Sequence, residues 1–203
     1  MKIAVIGASG NAGSRITAEL ARRGHSVTAI ARHPEKIASG ANVTPTKGDA
    51  MDQAGLAGLL AGHDAAISSV HFLVSDPAKL IGAAKESKVG RYLVVGGAGS
   101  LEVAPGVRLV TTPGFPVAYK AEAEKGAAFL DLLRAETELN WTFLSPSALF
   151  TAGERTGKFR LGNDQLLTSA DGKSSISFED FAVALADEIE RPVHIRQRFT
   201  VGY

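Results

Sequence analysis

The chain has no cysteine among its 203 residues. Disulfides, thiolate catalysis and cysteine-ligated metals are thereby excluded, and the absence fits a reducing cytoplasm, the location we expect. Charge of one sign is lacking too: 22 Lys and Arg face 21 Asp and Glu, for a net charge of +1, with the basic residues spread along the chain. Without a concentrated basic face, nucleic acid is not expected as a partner. The first apolar run, Ile3–Ile6, is far too short for a signal core or a membrane span, so no membrane partner is expected. His25, His33, His63, His71 and His194 show no HxH, HxxxH or HExxH spacing, and no metal site is expected. A GxSxG elbow is missing, which argues against an α/β-hydrolase. There is no internal repeat and no low-complexity linker.

What is present is an ordinary globular composition, 45% hydrophobic and 21% charged, at a length that suits a single domain over residues 1–203. Short β-rich runs alternate with helix-like segments. Strands are expected at Lys2–Ile6, Val27–Ala31, Val43–Lys47, Ala65–Val70, Tyr92–Val95 and Trp141–Leu144. Helices are expected over Ala12–Arg23, Gln53–Leu60, Ala78–Ser87 and Tyr119–Ala135. Such alternation predicts an α/β fold of Rossmann type, a doubly wound parallel sheet with helices on both faces. The pattern changes after Pro146. Lys158–Leu161 and Gln165–Thr168 are expected to pair as a hairpin across Gly162-Asn163-Asp164. Ser177 reads as an N-cap, with Asp180 at the third helical position, for a helix to about Ile189; Arg198–Val201 reads as a last strand. Residues 146–203 are therefore expected to form a small C-terminal lid region packed on the sheet edge. Monomer and homodimer both stay open, because a surface helix looks alike in either.

The strongest local signal is Ile3-Ala4-Val5-Ile6-Gly7-Ala8-Ser9-Gly10-Asn11-Ala12-Gly13. Its glycines form GxxGxxG directly after a strand and at the opening of a helix. Gly7 permits the tight turn, Gly10 the close approach of phosphates, and Gly13 close helix–strand contact. The N–H groups around Ser9, Asn11 and Ala12, at the positive end of the helix, are then aimed at the pyrophosphate of a dinucleotide. Arg32 follows strand two, at the place that faces the adenosine ribose. An acidic residue there holds the 2′-hydroxyl of NAD, whereas arginine accommodates the 2′-phosphate of NADP. Ala31-Arg32-His33 carries no acid, so NADP is expected and NADPH preferred over NADH, with Arg15 as a second cation; the alternative is a solvated arginine at a strand end. Asp49 and Ala50 follow strand three, where the carboxylate either accepts from the adenine amino group or fixes its own loop. Ser69, Val70 and His71 end strand four, and Gly96, Gly97 and Ala98 end strand five, both at the carboxyl edge where open α/β sheets bind ligands. His71 either touches a substrate or caps its strand. Glu122, Glu124 and Lys125 read as the solvated face of their helix.

These motifs together resemble the atypical short-chain dehydrogenase/reductase families with NmrA-like, NAD(P)-binding folds, and within them the NADH-flavin reductase group related to biliverdin-IXβ reductase. The likeness is carried by GASGNAG, Gly48-Asp49, GGAGSLEVAPG (Gly96–Gly106), PVAYK (Pro116–Lys120), GERTGKFR (Gly153–Arg160) and RFTVGY (Arg198–Tyr203), and it covers nearly the whole chain. The resemblance implies an NAD(P)H-dependent reductase, with the segment around Pro146 lining the site as in related folds.

The larger dehydrogenase family uses Tyr-xxx-Lys on one helix face, and here the pattern is broken. Tyr119 stands about where the proton donor would, yet the residue four later is Ala123, and Lys120 points elsewhere on a helix. The family serine would align near Ala98, with Ser100 two residues on. Tyr119 and Ser100 are the candidate catalytic residues, and for Tyr119 the competing reading is an aromatic resting on the core. Hydride transfer to a flavin dispenses with that triad, because the ring delocalises the charge and the protein mainly supplies proximity. The expected function is an NADPH-dependent oxidoreductase acting on a small-molecule flavin, quinone or similar conjugated acceptor. The alternative is a redox sensor of the NmrA type that binds NADP(H) without catalysis.

Overall fold

Residues Ile3, Val5 and Ala4, Ile6 alternate along the first strand, and the alternation sends them into two different cores. This period of two is what a strand covered on both faces requires. The computed structural model describes residues 1–203. The elements are β1 (Lys2–Ile6), α1 (Asn11–Arg22), β2 (Ser26–Ala31), β3 (Val43–Lys47), α2 (Gln53–Leu60), β4 (Ala65–Ser68), α3 (Pro77–Ser87), β5 (Arg91–Val95), β6 (Glu102–Ala104), β7 (Val107–Arg108), α4 (Val117–Ala135), β8 (Trp141–Pro146), β9 (Leu149–Thr151), β10 (Arg160–Gly162), β11 (Ser175–Ser177), α5 (Phe178–Glu190) and β12 (Gln197–Gly202).

Eight strands form one sheet in the order β10-β12-β8-β5-β4-β1-β2-β3. All neighbours are parallel except the edge pair β10–β12. The expected Rossmann-type sheet is thus the observed one. One face is covered by α1 and α5, whose Ile16, Leu20, Phe181, Leu185 and Ile189 pack with Ile3, Val5, Leu93 and Phe199. The other is covered by α2, α3 and α4, through Leu56, Leu60, Leu80, Phe129 and Leu133 against Ile6, Ile30 and Phe143. The chain leaves β1 toward β2 on one side and returns through α2 to β4 on the other. Direction therefore reverses between β1 and β4, and a crevice opens at their carboxyl ends. Pro45 lies in β3, the edge strand, where a missing N–H costs no ladder bond.

Two expectations for the C-terminal region change. The hairpin of Lys158–Leu161 with Gln165–Thr168 does not form: Arg160–Gly162 pairs antiparallel with β12, and Gln165 instead bridges Glu102. The open edge of β12 takes the three residues of β10 as its antiparallel neighbour instead. Residues 146–203 also enter the sheet itself, supplying two of its strands and α5 on one face. The N-cap is as expected: the Ser177 hydroxyl accepts from the Asp180 N–H at 2.9 Å. No helix is long and apolar enough to cross a membrane.

Candidate functional site

Between the carboxyl ends of β1 and β4 lies a cavity of about 690 Å³. The turn from β1 into α1 forms its floor. Gly7 has φ +83°, and a Cβ on it would sit 2.1 Å from the Ser69 carbonyl oxygen, so this turn admits only glycine. A Cβ on Gly13 would meet the Gly7 oxygen at 2.2 Å, so Gly13 serves the close contact of α1 with β1 and does not line the cavity. Gly10 differs: a Cβ there would meet nothing nearer than the Gly7 oxygen at 3.3 Å, in space that belongs to the cavity.

The start of α1 has no capping side chain and no acid in its first turn, whereas Asp52, Asp76 and Ser177 cap α2, α3 and α5. Its first N–H groups lack intrahelical acceptors and open, with the helix dipole, onto the cavity. This cradle fits the pyrophosphate of a dinucleotide. Arg32, exposed at the end of β2, lines the same cavity. Arg15 does not. Its Nε donates to Glu179 at 3.1 Å and its guanidinium lies 5.8 Å from the Phe178 ring centroid, so the expected second cation is engaged with α5. Burial pushes the Glu179 carboxyl upward, but the Gly153 N–H and Arg15 outweigh it and hold the group below its ordinary range.

Of the residues singled out from sequence, Gly7, Ser9, Gly10, Asn11, Ala12, Arg32, Asp49, Ala50, Ser69, Val70, His71, Gly96 and Tyr119 line the cavity together. Asp49 also fixes its loop, its Oδ1 accepting from the Met51 N–H at 2.9 Å. Gly97, Ala98, Ser100 and Pro146 stand outside the lining. Pro146 is the last residue of β8, paired with Val201 of β12. Ser100 is buried, and the Arg198 guanidinium, itself paired with Asp164, donates to its hydroxyl at 3.4 Å. Tyr119 is 68% exposed and its hydroxyl meets no partner within the chain. Four residues on, Ala123 packs against the turn after β5, where a Cβ on Gly99 would come within 2.7 Å of the Ala123 Cβ. The helix face that carries lysine in Tyr-xxx-Lys enzymes is here a packing surface.

The charge pattern of α4 puts Glu122 on its solvated face, and the structure places it otherwise. Its Oε1 accepts from the Phe72 N–H at 2.7 Å, its Oε2 from the Leu73 N–H at 2.9 Å, and Oε1 stands 3.4 Å from the His71 Nδ1. The turn after β4 leaves these N–H groups without ladder partners, and a carboxylate across the gap satisfies them. Phe72, Phe150 and Phe178 complete the wall, with the Phe150 and Phe178 rings edge-to-face at 4.6 Å between centroids. Glu122, Phe150 and Phe178 carry no local sequence signal, because each reaches the cavity from an element distant in the chain, whereas Phe72 directly follows the His71 segment that the sequence singles out. The loop Glu154-Arg155-Thr156 stays outside the cavity and pairs with carboxylates, Arg155 with Glu19 and Thr156 with Asp180.

The chain matches the model of the NAD(P)H-binding family over residues 7–192. It is 42% identical to the uncharacterized protein YwnB of Bacillus subtilis strain 168, over 99% of this chain and 98% of that one. Among solved structures, a candidate exported protein of Burkholderia pseudomallei is 46% identical with a TM-score of 0.90, over 100% of both chains. A candidate NADH-flavin reductase of Streptococcus pneumoniae TIGR4, SP1627, is 38% identical with a TM-score of 0.86, over 100% of this chain and 99% of that one.

Proposed function

The chain belongs to the NAD(P)H-binding family, and from that premise we propose that it is an NADPH-dependent oxidoreductase reducing a flavin, quinone or similar conjugated acceptor. The observation that carries the reading is that one cavity is lined both by a glycine cradle with Arg32 and by the aromatic side chains of Phe72, Tyr119, Phe150 and Phe178. Gly7, Ser9, Gly10, Asn11 and Ala12 hold the pyrophosphate. Arg32 takes the 2′-phosphate, and Asp49 and Ala50 border the adenosine. Ser69, Val70, His71 and Gly96 border the nicotinamide, where Tyr119 forms a wall. When bound, NADPH supplies hydride. The chain's own part is to orient it, exclude water with the phenylalanines and set a planar acceptor alongside. The lack of a Tyr-xxx-Lys pair accords with an acceptor that delocalises its own charge. The cysteine-free chain goes with a cytoplasmic setting.

The test follows nicotinamide absorbance with NADPH and NADH against FMN, quinone and aldehyde panels. Turnover on FMN or a quinone, faster with NADPH, is expected. Tight NADPH binding with no turnover on any panel would overturn the reading in favour of a sensor. A sensor would in addition separate NADP+ from NADPH by affinity in calorimetry.

A further inference from the structure

We propose that His71 is the proton donor of this site, held in place by Glu122, and that the acceptor is accordingly a quinone-type carbonyl compound and not a phosphorylated flavin. The inference rests on the reductase reading above and deepens it. His71 comes off the carboxyl end of β4 in the wall of the cavity, with its side chain 86% exposed. Glu122 reaches it from α4. Because its two oxygens also accept the Phe72 and Leu73 N–H groups, the carboxylate has little freedom to swing away. It stands beside Nδ1, so Nε2 is the ring nitrogen left for a ligand. The nearby Glu122 carboxylate, 3.4 Å from Nδ1, biases the orientation of the ring, and the exposure lets it regain a proton from water.

The charges at this end select the acceptor. Arg32, at the ribose end, is the only arginine or lysine in the lining, and the acceptor end carries the Glu122 carboxylate with apolar Phe72, Val74 and Phe150. FMN would bring a phosphate into a lining that offers no cation beyond Arg32 and carries the Glu122 carboxylate, whereas a neutral quinone brings no charge. Hydride addition to a quinone leaves an electron pair on a carbonyl oxygen. The Nε2–H bond of His71 breaks as the O–H bond forms. NADPH is oxidised to NADP+, the quinone is reduced to hydroquinone, and one proton is drawn from solvent through His71.

Menadione and FMN serve as probes, with wild type, His71→Ala and Glu122→Gln. Wild type should favour menadione in kcat/KM by about tenfold or more. In His71→Ala, kcat on menadione should fall about 100-fold, the ordinary contribution of a general acid, and imidazole added to the buffer should restore much of it. NADPH affinity by calorimetry should fall far less than kcat in that variant. Glutamine at 122 keeps an oxygen for one of the two loop N–H groups but no charge, so kcat falls less. The nitrogen chemical shifts of the His71 ring should then report loss of the Nδ1 partner, which a purely structural role for Glu122 would not produce. Menadione turnover that survives His71→Ala, or that imidazole does not restore, overturns the proton-donor assignment. A preference for FMN overturns the acceptor class. If wild type binds NADPH and reduces neither probe, the reductase reading itself has failed.

Discussion

The Arg155 guanidinium grips the Glu19 carboxylate with both ends, Nε to Oε2 and Nη2 to Oε1, each at 2.9 Å. Glu19 lies on α1 and is 4% exposed, and Arg22 and Arg23 donate to it as well. One carboxylate thus fastens the 152–159 segment to the helix whose first turn floors the cavity.

Burial alone would raise the Glu19 pKa, but hydrogen bonds from Arg155, Arg22 and Arg23 outweigh it and hold the carboxyl well below the usual glutamate range. A depressed folded-state pKa contributes stability that is present above the unfolded value, about 4.3, and is lost as pH falls toward the folded one. Stability against urea should therefore fall progressively below about pH 5. In Glu19→Gln that acid limb should flatten, and stability at pH 7 should fall by about 2 kcal/mol, less than for a fully buried pair because the arginines retain contact with water. An unchanged acid limb would remove Glu19 as its source.

The two glycines of the cradle should separate folding from binding. Gly13→Ala drives a methyl into the Gly7 backbone, and we expect about 2 kcal/mol of lost stability in denaturant titrations. At Gly10 the backbone is extended, φ −78° and ψ 171°, so alanine is conformationally acceptable there. Gly10→Ala should leave the melting temperature nearly unchanged and weaken NADPH binding by about tenfold, measured by calorimetry. Equal effects of the two substitutions on stability would contradict this division.

Arg32→Ala should raise KM for NADPH by about 10- to 100-fold, the worth of one or two charge-assisted hydrogen bonds, and leave KM for NADH unchanged. Arg15→Ala should not alter the ratio between the two cofactors, since that side chain is bound to Glu179. Steady-state kinetics with both nucleotides decides it.

Tyr119→Phe should change kcat on any accepted substrate by less than about twofold, against the 100-fold of a general acid. The hydroxyl has no partner within the chain, and Ala123 occupies the place of the lysine that would tune it. A large loss in kcat would return Tyr119 to the chemistry.

The cofactor end of the site is legible in the sequence, because its requirements are local. A strand, three glycines at fixed spacing and a helix start state backbone geometry directly, and β2 delivers Arg32 to the same crevice. The wall formed by Glu122 and the phenylalanines is not legible there. Glu122 meets Phe72 across 50 residues of chain. Arg15 meets Glu179 across 164, which keeps it out of the cavity lining. On the sequence each is simply a charged residue on a helix.

The same division holds for the fold. Strand and helix alternation, the Ser177 cap and the parallel sheet follow from periodicity and short-range chemistry in the chain itself. That β10 takes the free edge of β12 in place of a local hairpin depends on which ladder stands open once the sheet is built. Backbone conformation is written in neighbouring residues, so the nucleotide cradle is a property of the sequence. The aromatic and acidic wall of the cavity is a property of the assembled fold, since those side chains converge through a strand order that no local pattern encodes.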